Sequence, residues 1–209
     1  MKTDDLIKTL AQDKTLAAPP GRVLPLALGF AVLVSAALFM LGLGPRADFA
    51  DVAGTWRFTI KPMIPLVLAG TGIAVAMALV DPVRRAPLAL LALAPALLAV
   101  AVATELATLP AGAWGAALLG ENALKCLIVV PGLALAPLAA LLWTARSGAP
   151  TRPVLTGAVA GLLAAGIGAS LYALYCPDDS PLFVATWYSL GAMLTAGIGA
   201  LAGWKLLRW

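Results

Sequence analysis

Residues 23–43 read VLPLALGFAVLVSAALFMLGL, an apolar stretch without a single charge. About 20 such residues, wound as a helix, cross the hydrocarbon core of a bilayer. A cleavable signal peptide is the rival reading, but its apolar core runs only about 7–15 residues behind a short basic segment. Here the preceding segment is residues 1–22, and it contains Asp4, Asp5 and Asp13. The stretch therefore reads as a retained anchor, and the rest of the chain has to be read with lipid as solvent.

Five more stretches meet the same criterion: residues 62–80, 87–104, 123–143, 154–175 and 182–204. Lys125 is the one charge inside them. Between them lie the expected breakers, Gly44-Pro45-Arg46, Asp81-Pro82, Ser147-Gly148-Ala149-Pro150 and Cys176-Pro177-Asp178-Asp179. Hydrophobic residues make up 62% of the 209 and charged residues 11%, against about 45–50% and about 25% in soluble domains. One globular core cannot absorb that excess. The prediction is an all-α integral membrane bundle of six transmembrane helices.

Lysine and arginine near the span ends set the orientation. Ten fall on one side (Lys2, Lys8, Lys14, Arg22, Arg84, Arg85, Arg146, Arg152, Lys205 and Arg208) and four on the other (Arg46, Arg57, Lys61 and Lys125). Both termini are then expected in the cytoplasm. The chain divides into a cytoplasmic segment and linker, 1–22, the membrane domain, 23–204, and a tail, 205–209. Trp143, Trp187, Tyr188, Trp204 and Trp209 fall near expected interfaces, where amphipathic rings are favoured.

In lipid, close packing of small residues helps hold helices together. Gly157-x-x-x-Gly161 continues to Ala165, and Gly199-x-x-x-Gly203 repeats the pattern on the last span. Pro95, Pro131 and Pro137 lie within spans and are expected to kink them. Interrupted helices also mark transporter sites, so a small-solute transporter or channel is the rival function, with a subunit of a larger membrane complex as a third. Few ionisable groups lie at membrane depth, which argues against proton-coupled transport. The chain has no histidine, so the commonest general base and metal ligand is missing, and no enzyme is expected.

Cys126 and Cys176 fall at the outer ends of the fourth and fifth spans. That face is the oxidising one, where a disulfide persists, and soft thiolates also select soft metal ions. Apolar filler, a redox pair, and metal-responsive thiols with Asp178 and Asp179 beside them all stand open. Ser180-Pro181 reads as a helix start, with Ser180 the cap, Pro181 in the first turn, and the two aspartates favourable beside it.

The segment Thr3–Asp13 reads as a short helix capped by Thr3, with Leu6, Ile7 and Leu10 in an apolar stripe. About three turns are not stable alone in water. The stripe therefore needs a partner, and its aspartates favour a protein groove over anionic lipid.

Three stretches carry a resemblance: Met1–Ile7, the Gly148–Pro153 loop, and Cys176-Pro177-Asp178-Asp179-Ser180-Pro181-Leu182-Phe183-Val184-Ala185-Thr186-Trp187-Tyr188. They resemble the negative regulator of sigma F (NrsF-like) family, bacterial inner-membrane anti-sigma factors with six spans. The resemblance implies that the N-terminal segment holds an extracytoplasmic-function sigma factor at the membrane, without contact to nucleic acid. By matching positions, Asp4, Asp5, Leu6, Ile7 and Leu10 become the sigma contacts. Cys126 and Cys176 become sensors of a periplasmic oxidant or soft heavy-metal ion, with no obligatory cofactor. One departure is Tyr175, where the family pattern often has histidine, and it favours thiol chemistry over a Cys–His metal site.

Overall fold

The computed structural model describes residues 20–81 and 83–208, with side chains described from Val23 onward. Six helices are long and apolar enough to cross a membrane: Val23–Gly42, Trp56–Leu79, Leu88–Thr108, Ala123–Arg146, Pro153–Ala173 and Pro181–Leu206, here spans 1 to 6. Short helices at Phe49–Val52 and Trp114–Leu119 lie in two of the connections. No strand occurs among the described residues, and the predicted all-α bundle of six such helices is present.

Span 5 is the hub, the most buried of the six, packed against spans 6, 2 and 4. The glycine pattern explains why. A Cβ built on Gly157 would run into the Gly199 carbonyl oxygen, and one on Gly161 into that of Thr195. Spans 5 and 6 therefore meet backbone to backbone, at a distance that a methyl group would forbid. Gly166 presses against the Pro65 carbonyl of span 2, and Gly168 against the Val130 carbonyl of span 4. Span 1 lies on span 4, and span 3, the least buried, lies on span 2.

Span ends depart from the sequence expectation where charge is paired. Span 2 begins at Trp56, six residues before Pro62, because Thr55 caps it by accepting from the Phe58 amide at 3.3 Å. Arg57 and Lys61 thereby join the helix. Span 3 continues to Thr108 and includes Glu105. Lys125 is thus not the one charge within the spans. Lys61 and Glu105 are each 1% exposed, a placement that only partners make tolerable.

The prolines act differently from one another. Pro95 sits in the first turn of the α-helical part of span 3, behind a 3₁₀ turn at Leu88–Ala92, where no helical donor is lost. Pro137 is interior to span 4 and leaves the Leu133 carbonyl without its helical donor. Ser35 of span 1 supplies the replacement, donating from Oγ to Leu133 O at 2.7 Å. A neighbouring serine thus satisfies a group that the proline freed. Span 6 contains one π-helical turn at Val184–Tyr188. Of the aromatic residues expected near interfaces, Trp143 and Trp204 are exposed, whereas Tyr188 is buried. The π turn carries it into the core instead.

Candidate functional site

The cysteine end of the bundle is built from the loop between spans 5 and 6. Cys176 follows the last turn of span 5, its amide donating to Tyr172 O at 3.0 Å. Cys126 lies one turn into span 4, its amide donating to Asn122 O at 2.8 Å. Both side chains are 0% exposed, both thiols are free, and both belong to one buried cluster with Phe39, Val130, Leu133, Tyr172, Phe183 and Tyr188. The structure therefore brings together the two cysteines that the sequence singled out. It also adds Phe39, from span 1, as a fully buried neighbour in that cluster. The tyrosine hydroxyls of 172 and 188 are buried there without a hydrogen-bond partner among the described residues.

Asp178 does not serve the start of span 6. Its carboxylate accepts from the Glu121 amide at 3.1 Å, the Asn122 amide at 2.9 Å and the Asn122 side-chain amide at 3.0 Å. It thereby covers the N-terminus of span 4, where amides lack helical acceptors and negative charge is favoured. Gly120 makes the turn possible. Its φ is +56°, and a Cβ there would collide with Phe183 and Asp178. The Cys176 thiol points to the same carboxylate, Sγ to Oδ2 3.8 Å. Burial pushes that thiol up from its ordinary range, while the nearby Lys61 charge pulls it down.

Asp179 faces two cations. Lys61 Nζ, fully buried, donates to Asp179 Oδ1 at 2.9 Å and to the Cys176 carbonyl at 2.6 Å. Arg46, in the connection after span 1, donates to Asp179 Oδ2 at 2.8 Å and to the Cys176 carbonyl at 3.4 Å. Its backbone amide also donates to Leu174 O at 3.1 Å. Outside, Asp48 binds the same guanidinium at 2.6 Å, which raises the Arg46 pKa and holds the Asp48 carboxyl below the usual range. A second pair lies beside this one. Arg57 donates to Glu105 Oε2 at 3.1 Å from Nε and 3.0 Å from Nη2, and Ser180 Oγ reaches Glu105 Oε1 at 3.4 Å.

Ser180 also caps span 6 as expected, accepting from the Leu182 amide at 3.2 Å with Pro181 in the first turn. The acidic pair was expected beside that helix start. It is engaged elsewhere because two cations and two loop amides make stronger partners for full charges. Cys126, Cys176, Asp178 and Asp179 do not close into a ligand set. Both oxygens of Asp179 are taken, and no group of three or more Cys, His, Asp or Glu is placed to hold a metal among the described residues. Tyr175 accepts from Lys125 Nζ at 2.7 Å. The expected sigma contacts Asp4, Asp5, Leu6, Ile7 and Leu10 lie outside the described residues.

Sequence reasoning missed Arg46, Lys61, Arg57, Glu105 and Asn122. A usable signal was present: all four cations on the basic-poor side of the chain have partners here. Arg46 and Lys61 take Asp179, Arg57 takes Glu105, and Lys125 takes Tyr175.

Comparison with known proteins gives the family of the chain. The family described as negative regulator of sigma F matches residues 10–209. The anti-sigma-F factor NrsF of Caulobacter vibrioides is 37% identical over 216 aligned residues, covering 100% of both chains. A probable anti-sigma-F factor NrsF of Azospira oryzae is 39% identical over 90 residues, 43% of this chain and 42% of that one. No solved structure matches. With a family match across nearly its whole length and a full-length relative above one-third identity, this chain belongs to the negative regulator of sigma F family.

Proposed function

We propose that this chain is an anti-sigma factor of the bacterial inner membrane, with both termini in the cytoplasm. Its N-terminal segment, through Asp4, Asp5, Leu6, Ile7 and Leu10, holds an extracytoplasmic-function sigma factor away from RNA polymerase. A heavy-metal ion or an oxidant reaching Cys126 and Cys176 from the periplasm releases it. Family membership and the full-length relative named for sigma F support the regulatory reading. The observation that carries the sensor reading is the single buried cluster that joins both cysteines to Phe39 of span 1. Span 1 is the helix to which the N-terminal segment is attached.

Either signal acts on the two thiols. An oxidant that accepts two electrons and two protons converts the two S–H groups to one S–S bond, if the helix ends approach to bridging distance. A soft divalent ion instead displaces the thiol protons to solvent, with Asp178 as the nearest carboxylate. In both forms the signal must favour one arrangement of the bundle over another by its own differential binding.

Two experiments test this. Leu6→Asp with Leu10→Asp puts two charges on the apolar stripe and is expected to lower retention of the sigma factor on membranes by at least about 100-fold, since loss of a central apolar anchor costs about 2–4 kcal/mol each. Insertion should be unchanged; co-purification at the wild-type level defeats the contact. Cys126→Ser or Cys176→Ser should abolish induction by the thiol oxidant diamide and by cadmium(II) while leaving basal repression intact. An unaltered dose response in both returns the cysteines to apolar filler.

A further inference from the structure

We infer that Asp179, gripped between Lys61 and Arg46, is the positioning residue that ties the Cys176 loop to spans 1 and 2 and so carries the state of the cysteine end to the sigma-binding end. The inference rests on the sigma-binding reading above but not on the sensor chemistry. Sequence order offers no such route, since Cys176 and the N-terminal segment are separated by five spans. In space the distance collapses. The Cys176 carbonyl accepts from Lys61 Nζ at 2.6 Å and from Arg46 at 3.4 Å, and the neighbouring Asp179 carboxylate binds the same two cations at 2.9 and 2.8 Å.

The burial of these groups decides what they do. The Lys61 side chain is 0% exposed, that of Arg46 9% and that of Asp179 18%. A surface pair would be worth little and would hold no geometry. Breaking a pair taken out of water is costly, because it leaves a buried charge without its counter-charge. Without Asp179, among the described residues, Lys61 would keep only the Cys176 carbonyl, and Arg46 that same carbonyl and the exposed Asp48; the three charges therefore act as a lock on the loop. Arg46 follows span 1 after only three residues, and its amide is anchored on Leu174 O. Phe39, one turn before the end of span 1, is packed in the cysteine cluster. Displacing the Cys176 loop must break the lock or drag Arg46 with it. Either outcome changes the seating of span 1, whose opposite end leads into residues 1–19.

Asp179→Asn keeps the shape and removes the charge. In membranes bearing the full chain, it is expected to lower sigma-factor retention without any signal by roughly tenfold, within the usual range of allosteric coupling. It should also speed labelling of Cys126 and Cys176 by N-ethylmaleimide. Asp179→Glu, which preserves the charge, should restore most of both. A merely structural loss would lower the amount of inserted chain instead, which immunoblotting measures separately. If Asp179→Asn does not accumulate, Arg46→Gln carries the same two readouts from outside the spans. Wild-type retention and labelling in whichever variant inserts overturns the inference. Repeating the retention assay with both cysteines changed to serine separates the claims. An Asp179→Asn effect that persists there supports the lock even where the diamide response contradicts the sensor. Its disappearance there, with the sensor response intact in the wild type, overturns the lock alone.

Discussion

Gly161→Leu should eliminate the folded chain from the membrane fraction. A Cβ at this position meets the Thr195 carbonyl oxygen, Ala196 Cα at 2.6 Å and Ala196 N at 2.9 Å. All three are backbone atoms of span 6, so no rotamer change relieves the contact. Spans 5 and 6 would have to separate along the most extensive helix contact in the bundle. Ordinary overpacking costs about 1–3 kcal/mol because side chains can give way; here they cannot, and the cost is larger. Gly161→Ala already introduces the offending atom and should show a partial loss. Gly197→Leu is the control, since a Cβ there meets nothing within 4 Å. Membrane-fraction level and Tm in mild detergent report both. Normal accumulation of Gly161→Leu would refute the backbone contact.

The second large effect is an asymmetry within one ion pair. The Glu105 side chain is 2% exposed and that of Arg57 42%. Arg57→Ala strands a buried carboxylate whose remaining side-chain partner among the described residues is Ser180, and removing one member of such a pair costs about 3–5 kcal/mol. Glu105→Gln leaves a guanidinium that is already partly exposed at the start of span 2, and the loss should be about 1 kcal/mol. Tm should therefore fall much further for Arg57→Ala than for Glu105→Gln. The double variant should recover most of the deficit, because no charge is left unpaired. Equal shifts for the two single variants would contradict the burial on which the argument depends.

The parts legible in the sequence were those written in local pattern. Spans announce themselves by length and apolarity, and the Gly157/Gly161 and Gly199/Gly203 faces by their four-residue spacing. Ser180-Pro181 declared its cap because the cap is made with its own next residues. What sequence could not supply was partnership across the chain. Lys61 precedes Pro62 and looked like the polar flank of a span, yet Thr55 starts the helix earlier and Asp179 receives the charge. The expected third span stopped at residue 104, yet the helix runs on through Glu105, which Arg57, 48 positions away, neutralises. The aspartates illustrate the same limit. Local rules assigned Asp178 to the following helix, whereas its carboxylate closes the start of span 4. Pro137 was readable as a kink, but not as the cause of a bond to Ser35.

That serine has a mechanical consequence. Pro137 frees one carbonyl on span 4, and Ser35 occupies it, so span 1 cannot slide lengthwise by a turn without meeting carbonyls already committed within their own helix. A rod pinned at one point along its length rocks instead of pistoning. At about 1.5 Å per residue, the pin lies about 10 Å from Gly42 and about 22 Å from Pro20. The pin thus divides span 1 into a short arm toward the cysteines and a long arm that carries Pro25 and is seated in the core by Leu24. A swing of the short arm is passed to the other end in the opposite direction, as far as that proline and that seat allow.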